Sequence, residues 1–388
     1  MAANYLTDSK VHLENMPNIL DVERLHTIAE NAVKASAGKS FFDLTDPLCL
    51  KLRASILMLP YGLIRFGEVH FVGVGGCKLG KRSLDTFDDA LAQCGVSLDF
   101  KGNTKIYKKT SLPKEKIVLQ EFSVTATEAI LTYLAFLSDA QGKEYNLYQA
   151  AIEPHVLNLV DFLKNIGADI EVNYDHSITI RPSSIVIKST DFRITGDYLE
   201  AGMFLAIGAT APDSDITITG VDIKDLLSVF AVCKNIGIDY SIIDHQTFRV
   251  SSKNIANYHA TKIQTMIFPG FPTDLQSVFA ALLTQAQWVS KIFETLFEGR
   301  FAYLAELENL GAKVEVLNPH QVVVIGPTKL HGNFVTSTDI RWGGAMLVAG
   351  IIAEWETTIT NEELILRWYE DIVNKLKSIG VDIERKEI

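Results

Sequence analysis

Asp161-Phe-Leu-Lys-Asn-Ile-Gly167-Ala-Asp-Ile170 is a stretch in two halves. The first half spaces its apolar side chains as a helix does, and the second alternates them as a strand does. Between them stands a glycine, the residue best able to take the left-handed conformation that closes many helices. The pattern returns four more times. The copies read Asp89-Ala-Leu-Ala-Gln-Cys-Gly95-Val-Ser-Leu98, Ala231-Val-Cys-Lys-Asn-Ile-Gly237-Ile-Asp-Tyr240, Ala305-Glu-Leu-Glu-Asn-Leu-Gly311-Ala-Lys-Val314 and Asn374-Lys-Leu-Lys-Ser-Ile-Gly380-Val-Asp-Ile383. Successive glycines lie about 70 residues apart, longer than the roughly 20–50 residues of a solenoid unit. That length suits an α/β unit of two helices and several strands.

Working outward, each unit carries a second, more apolar helix upstream: Thr127 to Leu137, Glu200 to Ala209, Thr273 to Gln285 and Trp342 to Ala353. Helices apolar nearly all round belong inside. The alternating strands, such as Ala168-Asp-Ile-Glu-Val-Asn173 and His176-Ser-Ile-Thr-Ile-Arg181, pair with one another. The expected fold is therefore α/β, with two similar domains of three repeated units each. Each domain is an inside-out α/β barrel, helices buried and sheets outside. Repeat counting divides the chain into residues 1–195 and 196–388. A sixth unit is expected at the start, with Asn18 to Val33 as its second helix. There Asn31-Ala-Val-Lys34 stands where the glycine should, and Met1-Ala-Ala-Asn-Tyr-Leu6 reads as the interior of its buried helix.

The chain has 388 residues, 47% apolar and 21% charged, with a formal charge of −11. Length allows two ordinary cores. The net charge argues against bulk nucleic-acid binding, which leaves a basic footprint. No apolar run, Met203 to Ala211 included, approaches the roughly 20 residues that cross a bilayer. The start has no basic-then-apolar signal pattern. Cys49, Cys77, Cys94 and Cys233 stand apart, without metal-ligand spacing. The expectation is a cytoplasmic, soluble protein with no metal and no cofactor.

The most distinctive segment is Val72-Gly-Val-Gly-Gly-Cys77-Lys-Leu-Gly-Lys-Arg82-Ser-Leu-Asp85. Three readings stay open from the residues alone. One is a glycine-rich turn with an incidental cysteine. A second is a phosphate loop, since Gly75 to Lys81 fits GxxxxGK, but Arg82 then replaces the Ser or Thr that magnesium needs. The third is a loop presenting Cys77 among Lys78, Lys81 and Arg82, cations that lower a thiol pKa and keep the sulfur reactive.

Gly-Gly-Cys-x-x-Gly-x-Arg is similar to the catalytic loop of the enolpyruvyl transferases, most closely those acting on UDP-N-acetylglucosamine. The resemblance runs through nearly the whole chain. Leu52-Arg53-Ala-Ser-Ile56 matches a stretch whose arginine lies at the nucleotide-sugar site. Arg82, Ser83, Leu84, Asp85 and Thr86 match the segment that binds diphosphate and uracil, with Ser83 where a proline is usual. Glu121-Phe-Ser123-Val124-Thr125-Ala-Thr127 matches the phosphate loop, with Glu121 where a basic residue is usual. Phe271-Pro-Thr-Asp274-Leu-Gln276 matches the motif whose aspartate faces the sugar 3-hydroxyl. Leu296 falls at a uridine contact, Phe297-Glu-Gly-Arg300-Phe301 follows, and Thr338-Asp339-Ile-Arg341 and Arg367-Trp-Tyr-Glu370 carry the C-terminal arginines.

The resemblance implies transfer of an enolpyruvyl group from phosphoenolpyruvate to UDP-N-acetylglucosamine, in peptidoglycan precursor synthesis. Such a reaction needs a proton donor for C3 of phosphoenolpyruvate and an acceptor for the sugar hydroxyl proton. The resemblance casts Cys77 as the acid and Asp274 as the base, with Arg367 on phosphoenolpyruvate. Arg53, Arg82, Arg300 and Arg341 supply bidentate anion contacts. Arg300 and Arg341, with Asp339 nearby, have a plainer reading as ion pairs across the domain interface, and Asp274 one as a helix N-cap that could also serve the chemistry. The small-molecule partners expected are UDP-N-acetylglucosamine and phosphoenolpyruvate; nucleic acid and membrane are not expected, and the chain should be a monomer.

Departures from the family pattern are also legible. Its Lys-Asn pair, one residue on phosphoenolpyruvate and one on the sugar, has no counterpart downstream of Met1. Tyr198 and Ile152 stand where arginines are usual. A lost cation at such a site costs orders of magnitude in rate, so nucleotide-sugar binding should survive better than turnover. Two other readings follow: a transferase for another nucleotide acceptor, and a catalytically impaired protein that keeps nucleotide-sugar affinity.

Overall fold

The computed structural model describes residues 1–75 and 84–386. They fall into two compact units, one ending at Ile194 and one beginning at Thr195.

The five repeated glycines do what their place in the pattern requires. Gly95, Gly167, Gly237, Gly311 and Gly380 all have φ between 77° and 104°, a range that costs a side chain with a Cβ but not glycine. Each follows a helix with one apolar face: Asp85–Gln93, Pro154–Asn165, Leu227–Ile236, Leu304–Asn309 and Ile372–Ser378. After the first four glycines an antiparallel hairpin follows, as in Val96–Lys101 with Thr104–Lys109.

Three four-stranded sheets share one topology. In the first unit, Phe42–Leu44 pairs in parallel with Glu68–Phe71, which pairs antiparallel with Thr104–Lys109. The order repeats in the sheet of Lys116–Val118, Tyr145–Tyr148, Ile178–Arg181 and Asp169–Val172. It returns in the second unit with Lys262–Gln264, Trp288–Phe293, Gln321–Gly326 and Lys313–Asn318. Parallel neighbours need a crossover, and in each case a mostly buried helix supplies it. In the second sheet this is Val124–Gln141 and in the third Gln276–Leu283, every residue of which is buried.

In the second unit Tyr198–Thr210, Gln276–Leu283 and Ile340–Ile352 pack against one another. Small residues let them approach. A Cβ on Gly202 would lie 2.3 Å from Cδ1 of Leu275, so this glycine seats the turn that carries Asp274. Hairpin strands on the outside alternate less cleanly, and Lys313–Asn318 is exposed at all but one position.

Three expectations need correcting. The helix expected over Asn18 to Val33 runs from Leu20 to Ala35 and closes at Ser36, whose hydroxyl bonds back to the carbonyl of Ala32 at 2.7 Å. The left-handed glycine there is Gly38, displaced by one turn. The strand expected after Gly380 is not formed across 381–386. Among the described residues, moreover, the sheet containing Asp215–Thr219 has three strands instead of four. The opening stretch, expected as the interior of a buried helix, is instead a short 3₁₀ helix, Ala2–Thr7, that follows Met1 and buries Ala3 and Leu6.

Candidate active site

The glycine-rich loop leaves its sheet through a close backbone contact. The Gly75 N–H donates to the carbonyl of Cys49 at 3.0 Å. A Cβ on Gly75 would lie 1.7 Å from the Leu50 carbonyl oxygen, so no other residue fits without moving the chain. Cys77, Arg82 and Ser83 lie outside the described residues. Leu84 and Thr86 are half-buried and Asp85 is exposed, at the start of the helix Asp85–Gln93. An acidic side chain is favourable in that first turn.

Ser123 caps the helix Val124–Gln141 by accepting from the Ala126 N–H at 3.4 Å. Val124 and Thr125 follow in its first turn, half-buried, where free N–H groups suit an anion. Thr127 is buried and accepts from the Ala151 N–H at 2.9 Å, tying this helix to the next connection. Arg53 is half-buried; burial lowers its pKa, and the Glu121 carboxylate pulls it back up. Glu121, the departure noted in the phosphate loop, thus lies within electrostatic reach of Arg53.

In the second unit Asp274 sits in the 3₁₀ turn Thr273–Leu275 and caps no helix. It is instead the focus of two cations. Arg300 donates through Nη1 to Oδ1 of Asp274 at 2.9 Å, and Arg341 donates through Nε to the same oxygen. Arg341 also reaches Oδ1 of Asp339 at 3.3 Å and lies 5.4 Å over the Trp368 ring. Arg300 is only 4% exposed and stacks on Phe297 at 3.9 Å. Burial by itself would push the Asp274 carboxyl up, but Arg341 and Arg300 outweigh it and hold the group well below the usual carboxylate range. The two arginines thus form ion pairs with partners inside the second unit, not the expected pairs across the domain interface, and these pairs run through the residue cast as the base.

Arg367 is half-buried at the end of the short helix Glu363–Leu366. Leu296 is 37% exposed, on the loop between Phe293 and Arg300. Three residues escaped the sequence reading. Asp197 caps the helix Tyr198–Thr210 through the Leu199 and Glu200 N–H groups; burial raises its pKa, and Asp274 adds to the rise. Lys375 bonds Glu200 at 2.7 Å. Glu294 is fully buried. Only the Asp-x-x-Glu spacing of Asp197 and Glu200 carried a signal, as a capping pattern. Tyr198, where an arginine is usual, is buried edge-on to Phe268 at 6.4 Å. Among the described residues no cluster of three His, Cys, Asp or Glu side chains suits a metal, and no helix is long and apolar enough to cross a membrane.

Both the sequence and the fold have relatives among known proteins. The family model described as EPSP synthase (3-phosphoshikimate 1-carboxyvinyltransferase) matches residues 3–376. A UDP-N-acetylglucosamine 1-carboxyvinyltransferase of Borreliella burgdorferi is 32% identical, covering 99% of this chain and 92% of its own. One from Bradyrhizobium diazoefficiens is 34% identical with the same coverage of both chains. Among solved structures, the enolpyruvyl transferase NikO from Streptomyces tendae superposes with a TM-score of 0.82 at 21% identity, over 98% of this chain and 92% of that one. An EPSP synthase from Acinetobacter baumannii gives 0.64 at 16% identity, over 85% and 78%. These two likenesses show the fold.

Proposed function

Because the chain belongs to the UDP-N-acetylglucosamine 1-carboxyvinyltransferase family of enolpyruvyl transferases, we infer that it moves the enolpyruvyl group of phosphoenolpyruvate onto the 3-hydroxyl of UDP-N-acetylglucosamine. The products are enolpyruvyl-UDP-N-acetylglucosamine and phosphate, and the step serves peptidoglycan precursor synthesis. The observation that carries this reading beyond ancestry is the convergence of Arg300 and Arg341 on one oxygen of Asp274.

In the reaction the sugar oxygen adds to C2 of phosphoenolpyruvate while C3 takes a proton. The tetrahedral adduct then loses phosphate as C3 returns a proton. Cys77 as the neutral thiol is the assigned donor to C3, and Lys78, Lys81 and Arg82 favour the thiolate that this transfer leaves, which takes the proton back when phosphate departs. Asp274 is the assigned acceptor for the hydroxyl proton. Its depressed pKa makes it a weak base toward a neutral alcohol. Once the C2–O bond begins to form, however, the bridging oxygen becomes strongly acidic, and a weak base suffices. Proton transfer to Asp274 is therefore late, and Arg300 and Arg341 hold the carboxylate ionised until then. Arg367 meets phosphoenolpyruvate. Arg53, Arg82, Ser83, Leu84, Asp85, Thr86, Ser123, Val124, Thr125 and Leu296 serve the nucleotide sugar and its phosphates.

The same reading makes residues 1–195 and 196–388 two versions of one domain of three units, each an inside-out barrel. The mutually packed apolar helices of the second unit and its exposed outer strands support this. Calorimetry tests the acceptor assignment. UDP-N-acetylglucosamine should bind, shikimate 3-phosphate should not, and Arg82→Ala should weaken the nucleotide sugar by about tenfold, the loss of one charged contact. Equal, negligible heats for both ligands would overturn it.

A further inference from the structure

We propose that Glu294 is a positioning residue that couples the loop bearing Leu296 to the Asp274–Arg300 pair; this rests on the acceptor reading above. Its carboxylate is fully buried at the end of the strand Trp288–Phe293. Both oxygens are engaged, each in a different direction. Oε1 accepts from the N–H groups of Leu296 at 3.0 Å and Phe297 at 3.3 Å. Oε2 accepts from the Thr273 hydroxyl at 2.7 Å. The Glu294 backbone is pinned as well, its N–H donating to the His320 carbonyl at 2.8 Å.

The Thr273 contact carries the inference. A hydroxyl has one proton and two lone pairs, and the Thr273 proton goes to Oε2. Glu294 therefore claims the Thr273 proton and leaves lone pairs facing Arg300, whose Nη1 donates to that hydroxyl at 2.6 Å. The same Nη1 reaches Asp274. Arg300 is thus held between the Thr273 oxygen, the Asp274 carboxylate and the Phe297 ring. Glu294 fixes two of these three, the hydroxyl through Oε2 and the Phe297 backbone through Oε1. One arm of Glu294 sets the charge around Asp274; the other sets the loop on which Leu296 meets the nucleotide.

The two arms separate kinetically, measured as kcat and KM for each substrate on the full chain. Thr273→Val removes the first arm alone, and kcat should fall by about 10–100-fold with the acceptor KM within about twofold. Glu294→Gln keeps an oxygen for the loop but offers Thr273 an N–H donor, and should give the same split. Adding Thr273→Val to Glu294→Gln should cost nothing further, since both break one link. Glu294→Ala should lower kcat and also raise the acceptor KM about tenfold; if it does not fold, the other variants decide. A Glu294→Gln enzyme with unchanged kcat, or independent multiplication of the Thr273 and Glu294 effects, would overturn the proposal. Wild-type protein that neither turns over nor binds UDP-N-acetylglucosamine would instead overturn the acceptor reading, and this proposal with it.

Discussion

Arg300 donates through Nη1 to Oδ1 of Asp274 at 2.9 Å, and that oxygen also takes the Nε–H of Arg341. Two cations on one carboxylate oxygen set the acid stability of the second unit and, on the proposed function, the timing of proton transfer. Asp274→Asn should keep the fold, lower kcat by about 100–1,000-fold, the range seen when one charge-stabilising group is removed from an active site, and change the acceptor KM far less.

The pH dependence follows with its sign. The Asp274 carboxyl is depressed in the folded state, because Arg341 and Arg300 outweigh the opposing effect of burial. Its stabilisation is thus fully present above the unfolded carboxylate value and is lost as pH falls through the lower folded one. Thermal melts of wild type and Asp274→Asn should differ most near neutrality. The gap should close only at pH below the ordinary carboxylate range. A gap that closes between pH 5 and 7 would contradict this.

Glu128 titrates in the opposite sense. Burial pushes its carboxyl up to about 7, with the amino terminus of Met1 opposing and Glu153 adding to the rise. A raised folded pKa means the folded state keeps the proton longer, so stability falls as pH rises from the unfolded value to about 7. Glu128→Gln should leave melting unchanged at pH 4 and stabilise at pH 8 by up to about 3 kcal/mol, the size of such a shift.

The thiols make a fourth test. Burial raises the pKa of Cys49 to about 12 and raises those of Cys94 and Cys233 further, so none presents a thiolate near neutrality. Cys77, flanked by Lys78, Lys81 and Arg82, should be labelled first by iodoacetamide and by an epoxide phosphonate that mimics phosphoenolpyruvate. Peptide mass spectrometry reads the order, and first modification at any buried cysteine would contradict it.

Gly75 tests how the loop is anchored. With its Cβ position 1.7 Å from the Leu50 carbonyl oxygen, Gly75→Ala must displace the chain just before Cys77. Turnover should drop at least about tenfold, since small misplacement of a reacting group is costly. The melting temperature should move by only a few degrees, because the displaced segment is a loop and not core.

Much of this was legible in the residues, for physical reasons. The five closing glycines announced themselves because only glycine takes their φ without strain, and the buried helices because they lack a polar face. Asp274, Arg300 and Arg341 could be picked out as candidates, but their meeting on one oxygen depends on residues up to 67 apart in the chain. Glu294 escaped because a glutamate at a strand end reads as solvated; nothing local shows that a turn and a loop close over it. The first unit's closing glycine is hidden from the repeat pattern, because Ser36 ends the helix Leu20–Ala35 and the left-handed glycine, Gly38, comes a turn beyond Asn31-Ala-Val-Lys34.

The central claim is the reaction, and product formation tests it most directly. Purified protein incubated with phosphoenolpyruvate and UDP-N-acetylglucosamine should release phosphate and yield enolpyruvyl-UDP-N-acetylglucosamine in equal amounts by mass spectrometry, with both lost in Cys77→Ala. No product above the level of the Cys77→Ala protein, with the nucleotide sugar bound and the fold intact, would contradict it and leave a nucleotide-sugar-binding protein in its place.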